Sequence, residues 1–297
     1  MCPPLREFLP HFLVTSRFVV DMDADEFLDR YAAGQRDFRE CNLVGVDLTG
    51  QTMEGVDLRR AVLMHAKLDR ANLAGANLRE TNLQHASMDR ATLTDVNLIG
   101  ASLASASLRG VQLSGSGMRA ANLNKANFEH ADLSRANLSE AQISQVNLGR
   151  VTLKHANLNR ARLTRTDLSW ANLEFAVLTG SLLSQARLDD ANLTSAVLNG
   201  ANLEDAHLDR ANLSHAKLIG SNLQCASLVG ADIRNALVSW TSLRGANLTK
   251  ASLYRADLGW TNLSDANLTE AVLISANLYQ ANLFNANLTG AIMPDLY

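Results

Sequence analysis

Residues 71–90 read Ala-Asn-Leu-Ala-Gly, Ala-Asn-Leu-Arg-Glu, Thr-Asn-Leu-Gln-His and Ala-Ser-Met-Asp-Arg, four units of one five-residue pattern. A small residue stands first, a short polar one second and a large apolar one third. Working outward in both directions, the apolar residue returns at every fifth position. The series begins at Phe38, Leu43 and Leu48 and is still in phase at Leu283, Leu288 and Met293. No insertion or deletion breaks it over about 50 units, the mark of a repeat architecture.

The period itself decides between helix and strand. An α-helix turns about 100° per residue, so a five-residue period walks the apolar residue around the axis and leaves no single buried face. A flat strand alternates with period two, and five is odd. The pattern suits a strand only locally, with Ala inward, Asn outward and Leu inward. Two further residues must then turn a corner to recover the phase. A chain that does this every five residues winds into a coil, buries Leu and Ala, and pairs its backbone with the coils above and below. The expected fold class is all-β.

This run of A-N/D-L-x-x units resembles the pentapeptide-repeat proteins over roughly 85–90% of the chain. The resemblance implies a right-handed quadrilateral parallel β-helix, with four sides per turn and residues 20 apart in register. Like residues recur at that spacing: Arg39, Arg59 and Arg79; His65 and His85; Asp69 and Asp89; Trp240 and Trp260. About 13 coils and a rod of roughly 60 Å follow from the interstrand spacing. The uninterrupted repeat, preceded by Asp-Glu-Phe-Leu-Asp-Arg-Tyr-Ala-Ala-Gly (residues 25–34), looks similar to cyanobacterial members.

An open solenoid exposes core and unpaired backbone at both ends, so caps are expected. Residues 23–35 read as a capping helix. Asp23 stands at its N-cap, Glu26 at the capping-box position and Gly34 past its end. Phe27, Leu28 and Tyr31 are expected to cover the first coil. Residues 1–22 read as a weakly specified extension, with Met22 an alternative start, and 36–293 as the solenoid. Residues 294–297 form a tail in which Pro294 withholds a ladder donor and Leu296 and Tyr297 fold over the last coil. Arg36 and Gln51, at positions usually held by a small residue, imply an irregular first coil.

Composition narrows the function. The 27 Lys and Arg nearly cancel 30 Asp and Glu, a balance that drives the chain toward neither nucleic acid nor an anionic membrane. No apolar run is long enough to span a bilayer, and the stretch FLPHFLVTSRFVV lacks the features of a signal peptide. Cys2, Cys41 and Cys225 are scattered and odd in number, which points to a reducing, cytoplasmic setting. No glycine-rich phosphate loop, Ser–His–Asp grouping or metal-ligand spacing occurs. No cofactor and no catalytic residue is expected. His65 and His85 share a corner without further ligands in their column. The corner glycines Gly45, Gly50, Gly55 and Gly75 supply permissive backbone.

Two surface features remain. The column Arg39, Arg59, Arg79 and Arg119 reads either as a docking stripe or as a solvated ladder offset by Glu40, Asp57 and Glu80. On the same side, the C-terminal half carries Val177, Val197 and Leu237 where Asn or Asp is usual, with Ile219, Trp240, Trp260 and Tyr279 beside them. These seven residues are the expected protein-binding strip. The expected function is a non-catalytic interaction scaffold whose partner is another protein, with self-association through the strip as a variant. A DNA-mimicking topoisomerase modulator, a role some pentapeptide-repeat proteins have, is the alternative.

Overall fold

The computed structural model describes residues 21–294. From Asp37↔Asp57 to Val272↔Ile292, every bridge is parallel and joins residues 20 apart. Four five-residue units therefore close one coil, and the molecule is a four-sided parallel β-solenoid. The bridging residue is always the second of the unit. Asp21↔Asn42 is the exception in register.

The repeat persists because it leaves few backbone donors idle. In the unit Ala71–Gly75, Ala71 donates to Leu68 within the preceding turn (3.0 Å) and Asn72 donates back one coil to Gln51 (2.8 Å). Leu73 and Gly75 donate forward to Thr92 (2.8 Å) and Thr94 (2.9 Å). The amide of the fourth residue, Ala74, donates to the Asn72 side chain at 3.1 Å. The Asn or Asp of the consensus thus points outward and caps the turn that follows it.

In some units whose second residue is no such acceptor, the preceding coil supplies one. Asp89 N donates to Asp69 Oδ1 (2.8 Å) where the second residue is Ser87. Ser144 N donates to Asn124 Oδ1 (2.9 Å) beside Gln142, and Ile219 N to Asn199 Oδ1 (3.1 Å) beside Lys217.

The fifth residue of each unit is left-handed. Every fifth position from Glu40 to Gly290 has φ between +54° and +71°. This is the third residue of a four-residue turn, as in type II. Glycine holds only some of these corners; Arg, His, Asp, Gln and even Trp hold others. No Val, Ile or Thr occurs at any of them, because a branched Cβ clashes in the left-handed region.

The core is a stack of third-position Leu with first-position Ala between, nearly all inaccessible, and Phe128 fits one Leu place. Burial of each Leu contributes about 1.5–3 kcal/mol before entropy. Hydroxyls at the first position donate to backbone carbonyls, as Ser181 Oγ does to Leu178 O (2.7 Å) and Thr241 Oγ1 to Leu218 O (2.6 Å). Cys41 is buried, which pushes its thiol up to about 11.

At the N-terminal end α1 spans Ala24–Ala32. Asp23 accepts from Glu26 N at 2.9 Å. Phe27 is wholly buried with its ring 4.4 Å from that of Phe38, and Tyr31 Oη donates to Glu54 O. Met22 N donates to Asn42 O, so residues 21–22 pair with the first coil. Arg36 and Gln51 are exposed, but the first coil is not irregular: its bridges Asp37↔Asp57 to Thr52↔Asn72 keep the 20-residue register, because the outward-turned side chains leave the backbone ladder intact. The core is thinner at the other end: Leu278, Leu283 and Leu288 are only partly buried and Met293 is exposed, since no further coil covers them among the described residues. Leu296, Tyr297 and residues 1–20 lie outside the described residues.

Candidate protein-docking corner

One corner column runs Glu40, Arg60, Glu80 and on to Gly180, Gly200, Gly220, Trp240, Trp260 and Gln280. Its N-terminal part is an ion-pair ladder. Arg39 pairs with Asp37 (2.5 Å), Arg59 with Asp57 (2.6 Å), and Arg60 lies between Glu40 (3.6 Å) and Glu80 (2.8 Å). Arg119 reaches Glu140 at 3.3 Å. Hydrogen bonds from Arg39, Arg59 and Arg60 hold the carboxyls of Asp37, Asp57 and Glu80 below the usual carboxylate range. The arginine column is thus the offset, solvated ladder rather than a bare basic stripe.

The C-terminal part differs. The left-handed corner aims Trp240 and Trp260 outward, and the coil rise stacks them with centroids 5.0 Å apart and planes within 5°. Tyr279 meets Trp260 edge-on at 5.9 Å. Trp240 is 62% and Tyr279 64% exposed. Ile219 and Leu237 are exposed beside them, while Val177 and Val197 are half-buried.

All seven residues expected in the strip therefore lie on one side and its corner. They do not form an unbroken apolar column, because Lys217 stands between Val197 and Leu237 and is exposed. Among the described residues three further exposed aromatics lie elsewhere: Trp170 beneath Arg150, Phe175 stacked on His155 at 5.0 Å, and Phe284. A search for columns of apolar residues on one side passes over them; the signal that could have found Trp170 and Phe175 is the large aromatic at the fifth position. Leu182, on the far flank of the Trp240 corner, is also exposed and was equally unforeseen.

His65 and His85 stack at 5.0 Å on a different corner. Among the described residues no group of three or more His, Cys, Asp or Glu is placed to hold a metal ion. No described helix is long and apolar enough to cross a membrane.

A four-sided parallel solenoid built from A-N/D-L-x-x units defines the class. Models of the family match the sequence accordingly: pentapeptide repeats over residues 41–79, 147–185, 186–224, 211–249, 226–265 and 251–290, and a pentapeptide repeat region over 66–143. The chain belongs to the pentapeptide-repeat family. Among solved structures it is similar to HetL, a pentapeptide-repeat protein involved in heterocyst differentiation regulation in the cyanobacterium Nostoc sp. strain PCC 7120. The two share 33% identity over 92% of this chain and 98% of that one, with a TM-score of 0.32. A second Nostoc pentapeptide-repeat protein matches at 35% identity over 36% of this chain and 82% of its own, TM-score 0.22. The full-length plasmid-mediated fluoroquinolone resistance protein QnrB1 matches at 16% identity over 66% of this chain and 94% of its own, TM-score 0.29. No curated protein matches.

Proposed function

We propose that the chain is a non-catalytic scaffold that docks another protein through the Trp240 corner. The observation that carries the reading is the exposed, stacked pair Trp240–Trp260. Two large aromatics held rigid by the coil give an anchor with little side-chain entropy left to lose. The rest of the rod supports it: ion pairs neutralise the arginine ladder, and outward Asn and Asp are occupied with turn amides. The coil is read as right-handed, as in the family, and α1 as the cap of its first turn, since Phe27 packs on Phe38 there. A cytoplasmic setting is read from the scattered thiols. A DNA-mimicking role needs a continuous acidic face, and the interleaved Arg60, Arg79 and Arg119 argue against one.

The test is affinity capture from the source cells with three baits: the wild type, the Trp240→Ser/Trp260→Ser double variant, and an Arg39→Ser/Arg79→Ser control. A partner retained by the first and third but lost from the second supports the reading. Identical sets on all three baits defeat it.

A further inference from the structure

Corner side chains on this rod lean toward the following coil. A Cβ added at Gly180 would meet Arg160 Cγ at 3.8 Å, one at Gly110 would meet Arg90 Cγ at 3.7 Å, and one at Gly230 would meet Arg210 Cγ at 3.8 Å. Gly180 and Gly200 have no side chain to lean forward. A Cβ added at Gly200 or Gly220 consequently meets nothing within 4 Å. Three glycines in succession on one corner separate Arg160 from Trp240 by four coil rises, roughly 19 Å, and since Arg160 leans over Gly180 the notch is open at Gly200 and Gly220.

One wall of the notch is aromatic. Trp240 stacks on Trp260 with one face, so its other face is turned toward Gly220, where no side chain stands. The stack is a ladder of rings at 5.0 Å that stops with a free face above an empty rung. Ile219 and Leu237 border it on one flank and Leu182 on the other, all exposed.

The charges around the notch are mostly of one sign. Over the five coils from Asn157–Arg162 to Leu237–Ser242, the corner and the positions that border it carry Arg160, Arg162 and Lys217, against one exposed carboxylate further out on the far flank, Glu204, two residues past Asn202. None of the three cations has an ion-pair partner among the described residues, whereas the arginines lower on the corner are paired. The nearest acids along the corner are committed: Glu140 to Arg119, and Asp257 to Gly259 N (3.1 Å) and Asn277 (2.8 Å).

We infer that this notch receives an acidic protein segment bearing one aromatic side chain. The ring occupies the rung above Gly220 and continues the stack under Trp240, while flanking carboxylates meet Arg160, Arg162 and Lys217. The inference rests on the docking reading above and names its partner's chemistry. An aromatic against an aromatic face supplies the anchor, and the unpaired cations set register and attract the segment through space.

The test is selection of a random nonapeptide display library on the full chain. Enriched peptides are then synthesised and titrated by calorimetry against the wild type, Trp240→Ala, Gly220→Gln and Arg160→Ser/Lys217→Ser. Gly220→Gln fills the notch at a small cost in backbone strain and should keep the fold, since Gln185 and Gln280 already hold left-handed corners (φ 58° and 57°) and the added Cβ has open space. Circular dichroism melts check each variant. Enriched peptides are expected to carry an aromatic residue flanked by Asp or Glu and to lose at least tenfold in affinity with Gly220→Gln and with Trp240→Ala. They should also weaken with added salt for the wild type but little for Arg160→Ser/Lys217→Ser. Peptides that need Trp240 but carry no acids overturn the inference and leave the docking corner standing. Peptides indifferent to Trp240→Ala, or no enrichment, overturn both. A wild-type dimer in light scattering that Gly220→Gln dissolves makes a second copy the occupant and also overturns the inference.

Discussion

The carboxylate of Asp69 accepts a hydrogen bond at 2.8 Å from the backbone amide of Asp89, one coil further along the rod. It does so because Ser87, the second residue of that unit, donates its own hydroxyl to Asp69 (2.5 Å) and leaves the turn amide unserved. This turn is capped from the coil before, whereas the turn at Ala74 is capped from within its own unit. Asp69→Ala should therefore lower stability by about 1–3 kcal/mol, the net value of the two hydrogen bonds it accepts, from Asp89 N and Ser87 Oγ. Adding Ser87→Asn should restore it by supplying the acceptor locally. Urea midpoints of the two single variants and the double variant measure the coupling; additive effects would show that the two capping routes are not interchangeable.

Core and outward positions of one unit should separate cleanly. Leu158 is inaccessible, so Leu158→Ala should cost about 2–5 kcal/mol through the cavity it leaves. Asn157 points outward but accepts from Asn159 N at 3.1 Å, so Asn157→Ala should cost about 1 kcal/mol rather than nothing. Denaturant titrations that rank the two equally would contradict the register.

The corners make a backbone prediction. Gln145 has φ +59° on an exposed corner. Gln145→Val should destabilise by about 1–2 kcal/mol, because a β-branched residue is strained there. Gln145→Gly should be no less stable than the wild type. Thermal melts in which valine is harmless would mean the corners are not left-handed.

Acid should loosen the ladder. The folded carboxyls of Asp37, Asp57, Glu80 and Asp190 are held low by hydrogen bonds from Arg39, Arg59, Arg60 and Arg210 respectively. Between those lowered values and the unfolded value of about 4, the unfolded chain binds more protons. Their contribution is present above about pH 5 and is lost as pH falls through the folded values. Asp37 and Glu80 are exposed and Asp57 and Asp190 half-buried, so salt should shrink the effect, most of all at the first two. Melting temperatures at neutral and acid pH, in low and high salt, should show a fall in acid that is steeper at low salt.

The five-residue period was enough to read the inward Leu and Ala and the placement of corners, since it excludes both a helix and a flat strand. The number of sides was not physical in origin; it came from resemblance, and only the bridges between residues such as Asn72 and Thr92 establish it. The left-handed corners were legible in principle. Val, Ile and Thr are missing from every corner from Glu40 to Gly290, but attention to the apolar period and to the glycines hides an absence spread over all other residue types. Asn72 could be read as outward, whereas its bond to Ala74 N depends on turn geometry that spacing does not encode.

The candidate site was legible in part for a similar reason. Trp240 and Trp260 announce themselves at a spacing of 20, and the column of Val177, Val197 and Leu237 is visible once four sides are assumed. Lys217 was passed over because a search for apolar residues does not register what interrupts them. The notch above Gly200 and Gly220 was invisible, since it depends on which way the corner side chains lean.

The central claim is that docking is confined to one corner of four, and site-specific photo-crosslinking tests it most directly. A photoreactive phenylalanine is placed in turn at Gln280, Gln185, Lys250 and Ser195, one left-handed position on each corner, and irradiated in the source cells. A discrete adduct with a second polypeptide is expected from Gln280, lost when Trp240→Ser and Trp260→Ser are added, with little or none from the other three. Equal adducts from all four corners, or an adduct at Gln280 that survives loss of both tryptophans, would contradict the account.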